Sequence, residues 1–95
     1  MHIFNIDAYR ECFDIVSSEL DEDSMFRFGV KLNLPAKDVD EICNRNIRKY
    51  PKIYQLLTLW QEKTGLIADL AQIIIILKDM NKNSIAEKLF TKLHS

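Results

Sequence analysis

The chain has 95 residues and a formal net charge of −1, so it lacks the overall excess of Lys and Arg that nucleic-acid-binding domains carry. Hydrophobic residues make up 47% of it, and two glycines and two prolines are too few for the frequent turns of an all-β domain. We therefore expect one all-α domain over residues 1–95.

Two amphipathic helices are predicted before residue 33. Asp7 can cap the first, and the acidic cluster at residues 21–23 ends it. Its apolar stripe comprises Tyr9, Phe13, Val16 and Leu20, and its expected outer face comprises Arg10, Glu11, Asp14 and Ser17. The second helix starts at Asp23 or Ser24, and Gly29 allows a neighbouring helix to pack closely. Its stripe comprises Met25, Phe28 and Leu32, with Phe26 and Val30 on an adjacent face.

Prolines mark the starts of the next two predicted helices. Pro35 suits the first turn of a short third helix, which Asn44 and Asn46 favour ending. Its inward residues are Val39, Ile42 and Cys43, and Asp38 lies near its positive end. A fourth helix starts around Tyr50-Pro51 and ends at Gly65, expected in the left-handed conformation. Its inner face comprises Ile53, Leu56, Leu57 and Trp60.

The two remaining predicted helices differ in character. The fifth, from about Leu66 to Met80, is apolar on most sides and is expected at the centre of the bundle. Its inward residues are Leu70, Ile73, Ile74 and Leu77, with Ile75 and Ile76 also apolar. Ser84 is expected to cap the sixth helix, with Glu87 completing a capping box. Ile85, Leu89 and Leu93 form the apolar face of that helix.

Charge is distributed unevenly along the chain. Residues 1–41 contain ten acidic and four basic residues, or −6, and residues 42–95 contain four acidic and nine basic, or +5. Solvated helix faces alone could account for this asymmetry, but it also offers complementary patches for head-to-tail contacts.

Few residues have the spacing of a catalytic or metal site. His2 and His94 lie at the termini, and the cluster at residues 21–23 lacks the alternation of a calcium loop. Cys12 and Cys43 are expected to be reduced packing residues, which favours a cytoplasmic location. The start of the chain does not have the pattern of a signal peptide, and residues 73–77 form too short an apolar run to span a bilayer. No catalytic residue, metal or cofactor is predicted.

Four stretches of the chain follow one another in a recognisable order. They are residues 13–16, residues 32–42, the segment Leu56-Leu57-Thr58-Leu59-Trp60, and Leu77 followed by residues 85–89. This order resembles the death domain, a six-helix interaction module, and among death domains it is most similar to the Fas-associated death-domain adaptor family. Met25 and Val30 depart from that family, which places tryptophan and often a basic residue there.

The resemblance implies a six-helix antiparallel bundle with a Greek-key arrangement and a non-enzymatic adaptor function. Such an adaptor binds another death-domain protein through asymmetric contacts and links it to caspase recruitment in immune or apoptotic signalling. It also carries an amino-terminal death-effector domain, so the resemblance allows these 95 residues to be a fragment. The partner-binding residues expected from charge and resemblance are Asp21, Glu22, Asp40, Arg48, Lys52, Glu62 and Lys82.

An alternative interpretation is a small helical nucleic-acid-binding domain. The basic segment from Arg45 to Lys52 carries four cations that could contact phosphate, but Tyr50 is the single aromatic residue interleaved with them, so a row of stacking platforms is absent from this segment. Salt-sensitive binding to duplex DNA would favour this alternative.

Overall fold

The computed structural model describes residues 6–65 and 68–94, and in these ranges six α-helices form the predicted bundle. The helices are α1 (Ile6–Glu19), α2 (Met25–Lys31), α3 (Ala36–Cys43), α4 (Lys49–Thr64), α5 (Leu70–Asp79) and α6 (Asn83–Leu93), with a 3₁₀ turn at Glu22–Ser24 before α2. The all-α class and the number of helices are confirmed. None of the helices in these ranges is both long and apolar enough to cross a membrane.

Neighbours in the bundle are often distant in the chain. Helix α1 packs against α4 and α6, whereas α2 packs against α3, α4 and α5. Helix α3 also contacts α4, and α5 contacts α6. The amino-terminal helix is therefore covered by two later helices, which makes its folding dependent on contacts of large sequence separation.

The predicted core residues are buried. Trp60, Leu57 and Leu77 are almost inaccessible to solvent, and so are Leu70 and Ile74. Phe13 on α1 meets two aromatic rings of α4 edge to face, with centroid separations of 5.6 Å to Tyr54 and 6.5 Å to Trp60. These edge-to-face contacts join α1 to α4 in the core.

Gly29 brings α2 close to α3 and α4. A Cβ atom at this position would lie 2.7 Å and 3.0 Å from the two methyl carbons of Val39 and 3.3 Å from a methyl of Leu56. These separations are shorter than ordinary carbon–carbon contacts, so only glycine allows this approach without a shift. The predicted packing role of Gly29 is confirmed.

The expected exposure of Ser17 and of Ile75 is wrong. Ser17, expected on the outer face of α1, is fully buried, because α4 and α6 together cover a wider arc of α1 than one stripe. Ile75 is 65% exposed, although α5 was expected to be buried on most sides. Helix α5 packs mainly through the face containing Ile73, Ile74 and Leu77, and its opposite face lies at the surface.

The predicted helix ends agree with the structure at some positions and not at others. Asn44 ends α3, and Gly65 ends α4 with a positive φ of 73°, although its ψ of −147° lies outside the left-handed helical region. Helix α5 begins at Leu70, because the Asp69 carboxylate accepts a hydrogen bond from the Ala71 N–H at 2.9 Å; Leu66, its predicted start, lies outside the described residues.

Two predicted amino-terminal caps and the predicted start of the second helix are corrected. Helix α1 already includes Ile6, so Asp7 lies in its first turn. Ser24 precedes α2 but donates its hydroxyl hydrogen to Asp21 at 2.8 Å and makes no cap hydrogen bond. Ser84 lies inside α6, which begins at Asn83, because the Ala86 N–H already bonds to the Lys82 carbonyl at 3.0 Å.

Candidate interaction surface

The opposed charges of the two halves of the chain largely meet inside the monomer. Lys88 and Lys92 on α6 bind Glu19 and Glu11 on α1, each with a shortest N–O distance of 2.6 Å. Since α1 and α6 lie side by side, acidic residues from the first half are neutralised by basic residues from the second. The asymmetry in the sequence is therefore partly neutralised inside the monomer, because these charges pair across the α1–α6 contact.

Two of the predicted partner-binding residues bind each other. The Lys82 ammonium lies 2.6 Å from the carboxylate of Asp21, which also accepts the Ser24 hydroxyl hydrogen. These hydrogen bonds, that of Lys82 first, lower the pKa of Asp21 from 3.8 to about 2. The pair joins the turn before α2 to the turn before α6, and about half of the Asp21 side chain is exposed.

Lys52 was expected to be an exposed charge, and that expectation is wrong. The residue is only 7% exposed, and its ammonium group donates a hydrogen bond to the Cys43 carbonyl at 2.9 Å. The carboxylate of Glu22, another predicted site residue, lies 3.9 Å away. The long aliphatic stem of Lys52 packs in the core while its amine satisfies the carboxyl end of α3.

The other predicted site residues lie at the surface on different elements. Arg48 is exposed immediately before α4, where it has no ion-pair partner among the described residues. Asp40 on α3 accepts a hydrogen bond from the Asn44 amide at 3.0 Å, and Glu62 is exposed near the end of α4. The fold therefore brings Asp21, Lys82, Glu22 and Lys52 together as two pairs and leaves Arg48, Asp40 and Glu62 separate from them.

A groove of about 370 Å³ lies between α3 and α4. Ile42 and Leu59 contribute apolar surface to it, and Asp38, Glu41 and Glu62 are the acidic residues that line it. Arg45 supplies one cation, which binds Glu41 at 3.1 Å and also donates to Gln55. Three carboxylates and one guanidinium give this groove a net charge of −2. We call it the acidic groove.

The basic segment that suggested nucleic-acid binding is mostly engaged within the domain. Arg45 binds Glu41 and Gln55, Lys49 donates to the Ser18 carbonyl at 2.9 Å, and Lys52 is buried. Arg48 is the cation of this segment whose side chain makes neither a hydrogen bond nor an ion pair in the described part of the chain. The four cations point to different neighbours and do not form the continuous basic surface that phosphate binding uses.

Comparison with known families decides the kind of domain. The family model for the death domain matches residues 10–93. The chain belongs to the death-domain family. Neither a curated protein nor a solved structure matches it. Death domains are protein-interaction modules that bind other death domains, so homotypic binding is the activity of this fold.

The surface of this death domain also has exposed apolar residues, which the search for charged partner-binding residues did not identify. Phe26 and Val30 lie one turn apart on α2, and each is 44% exposed. The sequence analysis placed both residues on a face adjacent to the inward stripe of α2. Their spacing of one helical turn, outside that stripe, was the sequence signal that indicated an exposed apolar pair. Ile75 on α5 and Phe90 on α6 are more exposed still.

The cysteines of the death domain are free thiols. Cys12 is fully buried, and its burial raises the pKa of the thiol to about 11. Burial also raises the pKa of Cys43, which is partly accessible. The predicted packing role is confirmed for both residues, since Cys12 lies in the buried core and Cys43 packs against that core.

Proposed function

We propose that this death domain is an adaptor module that joins an upstream death-domain protein to caspase recruitment in immune or apoptotic signalling. The observation that supports a homotypic adaptor is the match of the death-domain family model to residues 10–93, which covers every helix from α2 to α6 and most of α1. The finer role, like the similarity to the Fas-associated adaptor family, is our proposal from the sequence resemblance.

The contacts to a partner are proposed to use charged residues that the monomer leaves at its surface. Arg48, Asp40 and Glu62 are exposed, and Arg48 and Glu62 have no ion-pair partner in the described ranges. Charges of this kind steer association and fix the register of a partner while contributing little to folding. Asp21, Glu22 and Lys82 are secondary contacts, since each already faces an opposite charge.

Lys52 has a different place in the proposal. Its ammonium group links the end of α3 to α4 through the Cys43 carbonyl and so holds the corner from which Arg48 projects. We therefore assign it a structural role, and it is a poor choice for a charge-reversal test because its substitution would disturb the fold.

A cytoplasmic location is part of the same proposal. Both cysteines are free, and a reducing compartment keeps thiols in that state.

The test is capture of purified death domains by this domain, first with the wild type and then with Arg48→Glu. Lys63→Glu is the matched control, because Lys63, on α4, is another exposed cation without an ion-pair partner among the described residues. We expect Arg48→Glu to weaken capture at low salt, the control to retain it, and both melts to match wild type. Failure of wild type to bind any death domain would refute the adaptor function; equal binding by Arg48→Glu would remove Arg48 from the contact.

A further inference from the structure

The exposed sides of α2 and α5 combine apolar and basic side chains. On α2, Phe26 and Val30 are each 44% exposed, and on α5 Ile75 is 65% exposed. The Lys31 ammonium of α2 lies 2.5 Å from the Asp79 carboxylate of α5, and Asp79 follows Ile75 by one helical turn. This ion pair therefore joins the exposed sides of the two helices into one surface.

The charge of this surface is positive. The pKa of Asp79 is lowered by its hydrogen bond to Lys31 and further by the positive charge of Arg27, which places Arg27 near the same carboxylate. Among the residues of α2 and α5, Asp79 is the only acidic one, and Lys78 adds a third exposed cation. Three cations and one carboxylate give a net charge of +2. We call the surface made by Phe26, Arg27, Val30, Lys31, Ile75, Lys78 and Asp79 the α2–α5 face.

This positive face belongs to a chain whose formal net charge is −1. The acidic groove, with its net charge of −2, would be repelled by a negatively charged surface, whereas the α2–α5 face would be attracted to it. An anionic partner would therefore orient the molecule with the α2–α5 face toward itself.

The placement of the apolar side chains favours a bilayer over a protein groove as that partner. Phe26 and Val30 project from one helix and Ile75 from another, and the Lys31–Asp79 ion pair lies between the two helices. A protein would need a pocket of fixed position for each apolar side chain, whereas lipid molecules rearrange around side chains at any spacing. Exposed Phe and aliphatic residues bordered by Lys and Arg are also the combination that amphipathic helices use at a membrane interface.

We propose that the α2–α5 face docks this domain on the surface of a bilayer that contains anionic phospholipids. Phe26 and Ile75 enter the headgroup region, and Arg27 and Lys78 contact the negatively charged groups of the lipids. The contact is peripheral, because single side chains and not whole helices enter the lipid. It goes beyond the proposed adaptor function, since a lipid surface is a partner of another kind. Docked molecules share one surface, which raises their effective concentration for a protein partner.

Sedimentation with vesicles tests the proposal on the whole 95-residue chain. The vesicles consist of phosphatidylcholine alone or of phosphatidylcholine with about one third phosphatidylserine. We expect the wild type to sediment with the anionic vesicles at low salt and to be released as the salt concentration rises. Binding to the neutral vesicles should be at least about tenfold weaker, because the attraction of the cations is then lost.

Two variants separate the apolar from the electrostatic part of the contact. Ile75→Ser and Arg27→Glu should each lower the partition coefficient on anionic vesicles at least about fivefold. Phe90→Ser is the matched control for the first, because Phe90 on α6 is 53% exposed, and Lys63→Glu is the matched control for the second. Both controls should bind as the wild type does, and circular dichroism verifies that each variant retains the helical fold.

A third variant should gain binding, which damage to the fold would not produce. Tryptophan favours the membrane interface, so Ile75→Trp should bind anionic vesicles more tightly than the wild type. Bromine-labelled acyl chains should quench its fluorescence well beyond that of the wild type, whose single tryptophan, Trp60, is buried.

Several outcomes would overturn the inference. These are a wild type that stays in solution with anionic vesicles, equal binding of the wild type to neutral and anionic vesicles, and an Ile75→Ser variant that binds as the wild type does. If the wild type ignores vesicles and Ile75→Ser weakens capture of a soluble death domain, the α2–α5 face serves a protein partner and the bilayer contact is wrong. The adaptor function stands or falls separately, on whether the wild type captures a death domain in the absence of lipid.

Discussion

Gly29→Ala tests the close approach of α2 to α3 and α4. The added methyl group would lie 2.7 Å from one methyl carbon of Val39 and 3.0 Å from the other. Val39 is fully buried and has a single side-chain torsion that a helix restricts strongly, so it cannot turn aside. The new atom must therefore push the helices apart.

Two opposing effects determine the size of the change. Overpacking a core by a methyl group costs about 1–3 kcal/mol, whereas replacing glycine by alanine inside a helix gains about 1 kcal/mol. We therefore expect the free energy of unfolding to fall by up to about 2 kcal/mol. In a domain of this size, each kcal/mol lost lowers the Tm by roughly 4–8 °C. Chemical denaturation followed by circular dichroism gives the free energy of unfolding.

The same substitution in a Val39→Ala background provides the control. Val39→Ala removes the two methyl carbons that the new Cβ would meet, and by itself it costs on the order of 2 kcal/mol for two buried methyl groups. With the obstacle gone, Gly29→Ala should now stabilise the protein, because the gain in helix propensity and the filling of the cavity remain. The sign of the effect reverses between the two backgrounds.

The refuting results are specific. A Gly29→Ala protein more stable than wild type would show that α2 does not approach α3 as closely as the structure has it. Equal effects in both backgrounds would show that Val39 is not the obstacle, and would leave Leu56, 3.3 Å from the added atom, as the remaining candidate.

Leu77→Ala should lower the free energy of unfolding by roughly 2–5 kcal/mol, because Leu77 is fully buried between α5 and its neighbours; a melt equal to wild type would contradict that placement. Ser17→Ala should raise the free energy of unfolding by about 1 kcal/mol, because the buried Ser17 hydroxyl has no hydrogen-bond partner among the described residues. A less stable variant would contradict this by indicating that the hydroxyl is hydrogen-bonded. Lys52→Met should lower the free energy of unfolding by about 1 kcal/mol, because the hydrogen bond to the Cys43 carbonyl at the end of α3 is lost. Lys52→Glu should lower it further, because a buried carboxylate would face the carbonyl oxygen; equal melts for Lys52→Glu and wild type would mean that the side chain lies in solvent. The folded-state pKa of Asp21 is depressed, so its pairing stabilises the fold above pH 3.8 and this contribution is lost as pH falls through about 2; Asp21→Asn should remove that part of the acid dependence, most clearly at low salt, and identical pH profiles would refute it.

Much of the helical architecture could be predicted from the order of residues. Apolar residues three or four apart place Phe13, Met25 and Ile53 on inward faces whatever the rest of the chain does, because the helix has 3.6 residues per turn. Asn44 and Gly65 end helices through their own backbone preferences. Such signals depend on a few neighbouring residues, so the sequence by itself determined the number of helices and the central part of the core.

Exposure and pairing were decided by contacts between segments distant in the chain. Ser17 is buried because α4 and α6 both cover α1, and Ile75 is exposed because α5 packs through one face only. The acidic and basic halves of the chain pair across the α1–α6 contact, which local spacing does not encode. For the same reason Lys52 is a buried structural residue and Arg48 an exposed one, although both belong to one basic segment of the sequence. Charge along a chain specifies which residues can pair, and only the packing of the helices specifies which of them meet and which remain for a partner.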